Sequence, residues 1–268
     1  MANFSFCHQL TLFEYASMKR NIILFISLIC VTDLVFAEGE VISKQDKFLT
    51  KILKQQVNNQ ISLQSSVSSI LTRFPERVDS VLKIALNEYP SEFRQIMIGA
   101  INAEPVLACE VIDIMLKADV AKKEEIIAIA VSAEPAYAQE IVNIAVSNYP
   151  TEIESIIRVA IETDPFSSNS LVSDTMINFP KNVFAILSGA ITALPQEVSN
   201  FVQTAINLFP ADGEQVVENA VNSSENKYTL SIVETAIEAG LDETSAINAA
   251  ILGGAPVEQF VNNTDKQP

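Results

Sequence analysis

Residues that most often build catalytic and metal centres are scarce in this 268-residue chain. It has one histidine (His8), no tryptophan, and three cysteines at Cys7, Cys30 and Cys109. No HExxH, CxxC or glycine-rich phosphate loop is present, and no Ser/His/Asp set can be assembled from the region beyond the N-terminal segment. Cation is short as well: 17 Lys plus Arg stand against 33 Asp plus Glu, a formal net charge of −16. Such a body repels nucleic acid and anionic lipid, which excludes both as natural partners. The main apolar run near the N-terminus, Ile22 to Val31, is too short to cross a bilayer, and Asp33 interrupts its extension.

That run has another use. Met18-Lys-Arg, the apolar stretch and Val35-Phe-Ala37 form a charged start, an apolar core and a small residue at the cleavage point. This is the layout of a secretory signal peptide. We expect translation from Met18, with residues 1–17 an upstream extension, cleavage after Ala37, and a periplasmic or secreted product. Ile29 before Cys30 argues against a lipoprotein, where a small residue is needed. Cleavage removes His8, Cys7 and Cys30, leaving Cys109 as the single thiol, so no internal disulfide can form. Cys109 lies among apolar helix positions with no local cation to lower its pKa, which reads as a structural thiol. Asn222-Ser-Ser and Asn262-Asn-Thr match a glycosylation sequon, relevant only in a eukaryotic secretory route.

What the chain has in abundance is a period. Pro75, Pro90, Pro105, Pro135, Pro150, Pro165, Pro180, Pro195 and Pro210 fall on one fifteen-residue grid, with Val120 at its only gap. Proline is tolerated in a first helical turn, cannot continue a preceding helix, and pushes the residue before it out of helical geometry. One residue therefore ends one helix and begins the next. Counting proline as position 1, position 8 is aliphatic from Leu82 to Ile247. Position 11 is Ala85, Ala100, Ala130, Ala145, Ala160, Ala190, Ala205, Ala220 and Ala250, with Met115, Thr175 and Thr235 as exceptions. Apolar residues at 4, 7, 8, 11 and 12 line one helical face. The alanines are expected where two helices approach closely. Helices of about eleven residues are marginal alone, so stacking must stabilise them.

A second period lies inside the first. Turns ending in Tyr89, Tyr149, Phe179 and Phe209 alternate with turns ending in Glu104, Glu134 and Asp164, with Phe74, Asp119 and Leu194 as exceptions. The unit is therefore an antiparallel helix pair of about thirty residues. The sequence predicts an all-α fold, a right-handed α-solenoid of about thirteen fifteen-residue helical units over 60–254. A capping helix at 38–59, roughly Ser43 to Asn58, precedes it, and a polar tail, 255–268, follows. Gly240 then Asp242 should stop one helix and start another without proline. The pattern resembles the α-solenoid class, and is similar to proline-punctuated helical repeats of exported bacterial proteins. The tetratricopeptide signature is missing, and neither HEAT nor ankyrin motifs are matched. The resemblance implies architecture alone.

Three surfaces are candidates. Glu104, Glu134 and Asp164 form an acidic edge, read either as helix capping or as a ladder for cations. Tyr89, Tyr149, Phe179 and Phe209 form the opposite edge, read either as packing between repeats or as an aromatic binding strip. Lys44, Lys47, Lys51 and Lys54 share one face of the capping helix, opposite Phe48, Leu49, Ile52 and Leu53, read as a solvated face or a dock for an acidic surface, including another copy. Charge is uneven: residues 38–94 hold eight basic and seven acidic side chains, residues 95–268 seven and 24. The expected function is an exported, non-enzymatic scaffold binding a protein or cationic peptide, without cofactor. The alternatives are a self-assembling extracellular structural component, or a hydrolase using a carboxylate pair that the sequence does not single out.

Overall fold

In a computed structural model, residues 44–261 are described; the expected upstream extension and signal peptide at 1–37, the second sequon at Asn262 and the polar end of the tail lie outside the described residues. The helices run α1 (Lys44–Asn58), α2 (Leu63–Arg73), α3 (Val78–Glu88), α4 (Phe93–Ala103), α5 (Ala108–Ala118), α6 (Lys123–Ala133) and α7 (Ala138–Asn148). They continue as α8 (Ile153–Thr163), α9 (Ser168–Asn178), α10 (Val183–Ala193), α11 (Val198–Leu208), α12 (Gly213–Asn222), α13 (Thr229–Glu238), α14 (Glu243–Leu252) and the short α15 (Glu258–Val261). No strand occurs among the described residues.

The proline junction explains the fifteen-residue grid atom by atom. Each grid proline opens a three-residue 3-10 turn that runs directly into an α-helix, as in Pro90–Glu92 before α4. The residue before the proline leaves helical geometry: Tyr89 has φ −138° and ψ 61°. Its N–H still closes the preceding helix, donating to the carbonyl of Ala85 at 2.8 Å, and its own carbonyl accepts from Glu92 N–H at 3.0 Å. One non-helical residue thus turns the chain with both of its backbone groups satisfied, so no loop has to be inserted.

Where proline is missing, other chemistry takes over. At the Val120 gap Asp119 adopts the left-handed conformation, φ 50° and ψ 38°, and the 3-10 turn is lost. Between α13 and α14 Gly240 has φ 103°, Leu241 N–H reaches back to Ala236 O at 2.9 Å, and the Asp242 carboxylate accepts from Ser245 N–H at 3.1 Å. That is the stop and start expected from Gly240 and Asp242. Between α12 and α13 one extra residue enters. Asn226 takes the proline's place, and the register of α13 moves by one, so that Ala236, not Thr235, occupies the buried slot.

Packing is by alternate helices. Each inner helix from α3 to α12 packs on its sequence neighbours and on the helices two before and two after it. Odd-numbered helices therefore form one layer and even-numbered helices the other, the arrangement of an α-solenoid. Positions 7, 8, 11 and 12 meet between the layers: Ile141, Val142, Ala145 and Val146 of α7 are all fully buried. Thr175, the polar exception at position 11, is buried and accepts a hydrogen bond from Gln139 Nε2 at 3.2 Å.

The closest approach is made by glycine. A Cβ on Gly99 of α4 would lie 2.5 Å from the backbone oxygen of Gln64 in α2, and Gly189 of α10 meets Glu154 of α8 more tightly still. Both glycines sit at position 10, three double units apart.

Two sequence expectations change at the ends. Phe48 is 55% exposed instead of joining Leu49 and Leu53 in the core. It follows Lys44 by four residues and precedes Lys51 by three, which at 3.6 residues per turn places it on the lysine face. The tail begins later than 255: Gly254 at φ 103° turns the chain, Ala255 N–H bonds to Ala250 O at 3.0 Å, and Ala255 is buried.

Candidate functional site

The solenoid separates its turns onto two edges. Even-to-odd turns carry Glu104, Glu134 and Asp164; odd-to-even turns carry Tyr89, Tyr149, Phe179 and Phe209. The two edges differ in how much of their side chains is available.

On the aromatic edge all four rings are half-buried and packed against the core. Tyr149 shows how. Its hydroxyl donates to the Leu116 carbonyl at 3.3 Å, satisfying a carbonyl at the end of α5 that the helix itself leaves open. Lys123 Nζ lies 4.5 Å from the centroid of the same ring and 3.0 Å from Glu152 Oε1. The Glu152 hydrogen bond, first among the causes, raises the Lys123 pKa above its ordinary value. Tyr149 thereby ties its turn to the end of α5, two helices earlier.

The acidic edge is free of that duty. None of Glu104, Glu134 and Asp164 caps a helix through its side chain. The reason lies in the proline junction: Leu107 N–H bonds to the backbone oxygen of Glu104 at 2.9 Å, and Tyr137 N–H to that of Glu134 at 3.1 Å. At these two junctions a donor that the carboxylate could cap is taken by the main chain, and at the third the Asp164 carbonyl accepts from the Ser167 hydroxyl at 3.1 Å. What remains is the favourable interaction of a negative charge with the helix N-terminus.

Two exposed apolar residues sit two places after these acids. Phe166 is fully exposed at 101% and Val106 is 63% exposed, each directly after its proline. Position 2 is small or polar elsewhere on the grid, with Glu76, Ser91, Ala136, Thr151, Lys181, Gln196 and Ala211. That departure was visible in the sequence and was not singled out by periodicity, which draws attention to what recurs. The edge therefore reads Glu104-Pro-Val106, Glu134-Pro-Ala136, Asp164-Pro-Phe166, one step per double unit. Neighbouring helices in each layer are separated by about 8–10 Å.

Elsewhere charge is partly neutralised. Lys54 pairs with Glu88 at 2.7 Å and Arg94 with Glu125 at 2.6 Å, each linking helices two apart. Exposed pairs of this kind contribute about 0–1 kcal/mol each. Lys44, Lys47 and Lys51 make no ion pair among the described residues. Cys109 is half-buried, and burial first, then the Glu140 carboxylate, pushes its thiol pKa up, away from a nucleophile's range.

An open groove of about 420 Å³ has Phe184, Gln215, Glu218, Asn219 and Leu252 among its lining. Among the described residues no three His, Cys, Asp or Glu side chains gather as a metal set, and no helix is long and apolar enough to cross a membrane. Compared with protein-family models, curated proteins and solved structures, the chain matches none, so its own repeat geometry carries the functional reading.

Proposed function

We propose that the protein is an exported, non-enzymatic α-solenoid scaffold whose even-to-odd edge holds a cationic, partly apolar segment of a protein partner. The observation that carries this reading is Phe166, a fully exposed aromatic one repeat beyond Ala136 and two beyond Val106, with Glu104, Glu134 and Asp164 beside them. The acids supply long-range attraction and orientation, and the apolar side chains supply surface to bury. The excess of 24 acidic over seven basic residues across 95–268 suits the same partner. Export rests on the leader ending at Ala37, and N-terminal sequencing of native protein should then begin at Glu38.

The test is a pull-down from the native cell envelope with two baits. One is the natural chain; the other carries Phe166→Ser with Glu104→Gln, Glu134→Gln and Asp164→Asn. All four positions are at the surface or partly so, and the second bait should fold as the first does. A cationic partner retained by the natural chain and lost by the variant supports the reading. Equal capture by both baits sinks it.

A further inference from the structure

We propose that the C-terminal end of the solenoid docks onto the basic N-terminal helix of a second copy, so that chains join head to tail. This rests on surfaces other than the acidic edge and stands whether or not that edge binds a partner.

Every inner helix is covered by the helices two before and two after it; α13 and α14 have no later partner among the described residues beyond the four-residue α15. Terminal repeats of a soluble solenoid ordinarily carry polar residues on the outer face. Here the repeat's own interface residues persist. Position 12 of α3, α5, α7, α9 and α11 is at most 9% exposed, yet Ile237, its counterpart in α13, is 37% exposed. In α14, Ile247 and Ile251 occupy positions 8 and 12, which are buried in every earlier even helix, and both are half-exposed. Leu252 is 74% exposed where the six earlier even helices have Thr72, Asn102, Ser132, Glu162, Thr192 and Asn222.

Charge identifies the occupant. Glu234, Glu238 and Glu243 flank this apolar end, exposed and making no ion pair among the described residues. At the other end α1 has no earlier helix on it among the described residues. It presents Lys44, Lys47 and Lys51, which make no ion pair among the described residues, around the exposed Phe48. One end is apolar and acidic, the other apolar and basic. Two tails meeting would oppose Glu234, Glu238 and Glu243 to their own copies, whereas tail to head pairs them with lysine. Such a heterologous contact does not close on itself as a two-fold dimer does, and it continues into longer assemblies.

Sedimentation velocity on the full chain, processed as the cell leaves it, tests this. The weight-average mass of the natural protein should rise with concentration past that of a dimer. A head-blocked variant, with Lys44→Glu, Lys47→Glu and Lys51→Glu, and a tail-blocked variant, Leu252→Lys, should each be monomeric. Mixed together they should give dimers and nothing larger, because one intact tail meets one intact head. Circular dichroism confirms folding of each, and Glu238→Lys with Glu243→Lys, at exposed positions, provides a second tail block. A natural chain that stays monomeric or stops at a dimer overturns the proposal. So do variants that associate as the natural chain does, or a mixture that remains monomeric.

Discussion

Replacing Gly99 with alanine puts the helix-spacing argument to a direct test. In isolation the change favours the helix by about 1 kcal/mol, since alanine is the better helix former. The structure opposes it, because the new Cβ would stand 2.5 Å from the backbone oxygen of Gln64, against an ordinary carbon contact of about 3.5 Å. No side chain can swing aside; α2 and α4 must separate as helices. Overpacking of this kind costs about 1–3 kcal/mol, and a rigid backbone obstacle places it at the upper end. The net expectation is a loss of about 1–2 kcal/mol. Gly189→Ala should behave alike, since Glu154 stands in the same relation to it. Gly213→Ala is the control: its nearest obstacle is Leu241 Cδ1 at 3.2 Å, a movable side-chain end, so stability should hold or rise by up to about 1 kcal/mol. Urea titrations followed by circular dichroism give the midpoints, which remain comparable in a repeat array whose unfolding need not be all-or-none. If Gly99→Ala and Gly189→Ala match or exceed the natural protein, the close approach is absent and the reasoning is refuted.

Other expectations are briefer. Ala145→Leu and Ala160→Leu, at positions no more than 1% exposed, should each lose on the order of 1–3 kcal/mol by overpacking, while Lys227→Ala leaves the midpoint unchanged within error. Tyr149→Phe removes the hydrogen bond to Leu116 O and should cost about 0.5–1.5 kcal/mol in the same titration. Burial and Glu140 raise the Cys109 pKa, so the thiol stays protonated through neutral pH; alkylation by iodoacetamide should be slow there, quicken only above the ordinary thiol range, and be faster at a given pH in Glu140→Gln. Rapid alkylation at neutral pH would contradict that sign.

How far the sequence reached can be judged junction by junction. The proline grid located the helices from α3 to α12 because proline acts locally: it constrains its own φ and the residue before it, whatever packs around them. Gly240 and Asp242 were legible for the same reason. The alanines at position 11 were recognisable as core because helical periodicity is a property of the chain itself. Gly99 and Gly189 were not: each occurs once in its own helix, and only the neighbouring backbone shows that a methyl group has no room. Phe48 was misplaced because its apolar character was weighed above its spacing, four after Lys44 and three before Lys51, which already sets it on the lysine face. The register of α13 slipped because a single inserted residue leaves its apolar spacing intact.

The surfaces divide in the same way. Composition determined the acidic character of the body, and the leader pattern set the expectation of export. The thirty-residue alternation placed Glu104, Glu134 and Asp164 on one edge and the aromatics on the other. Only the tertiary structure decided that the aromatics are half-buried against the core and that none of the three carboxylates caps a helix, the main chain holding a donor at Glu104 and Glu134. It also decided that Ile237 and Ile251 are only partly covered at the C-terminal end. Identical positions in identical local structure are buried in the middle of the stack and open at its end. Exposure depends on what lies two helices further on, which no single unit of the sequence contains.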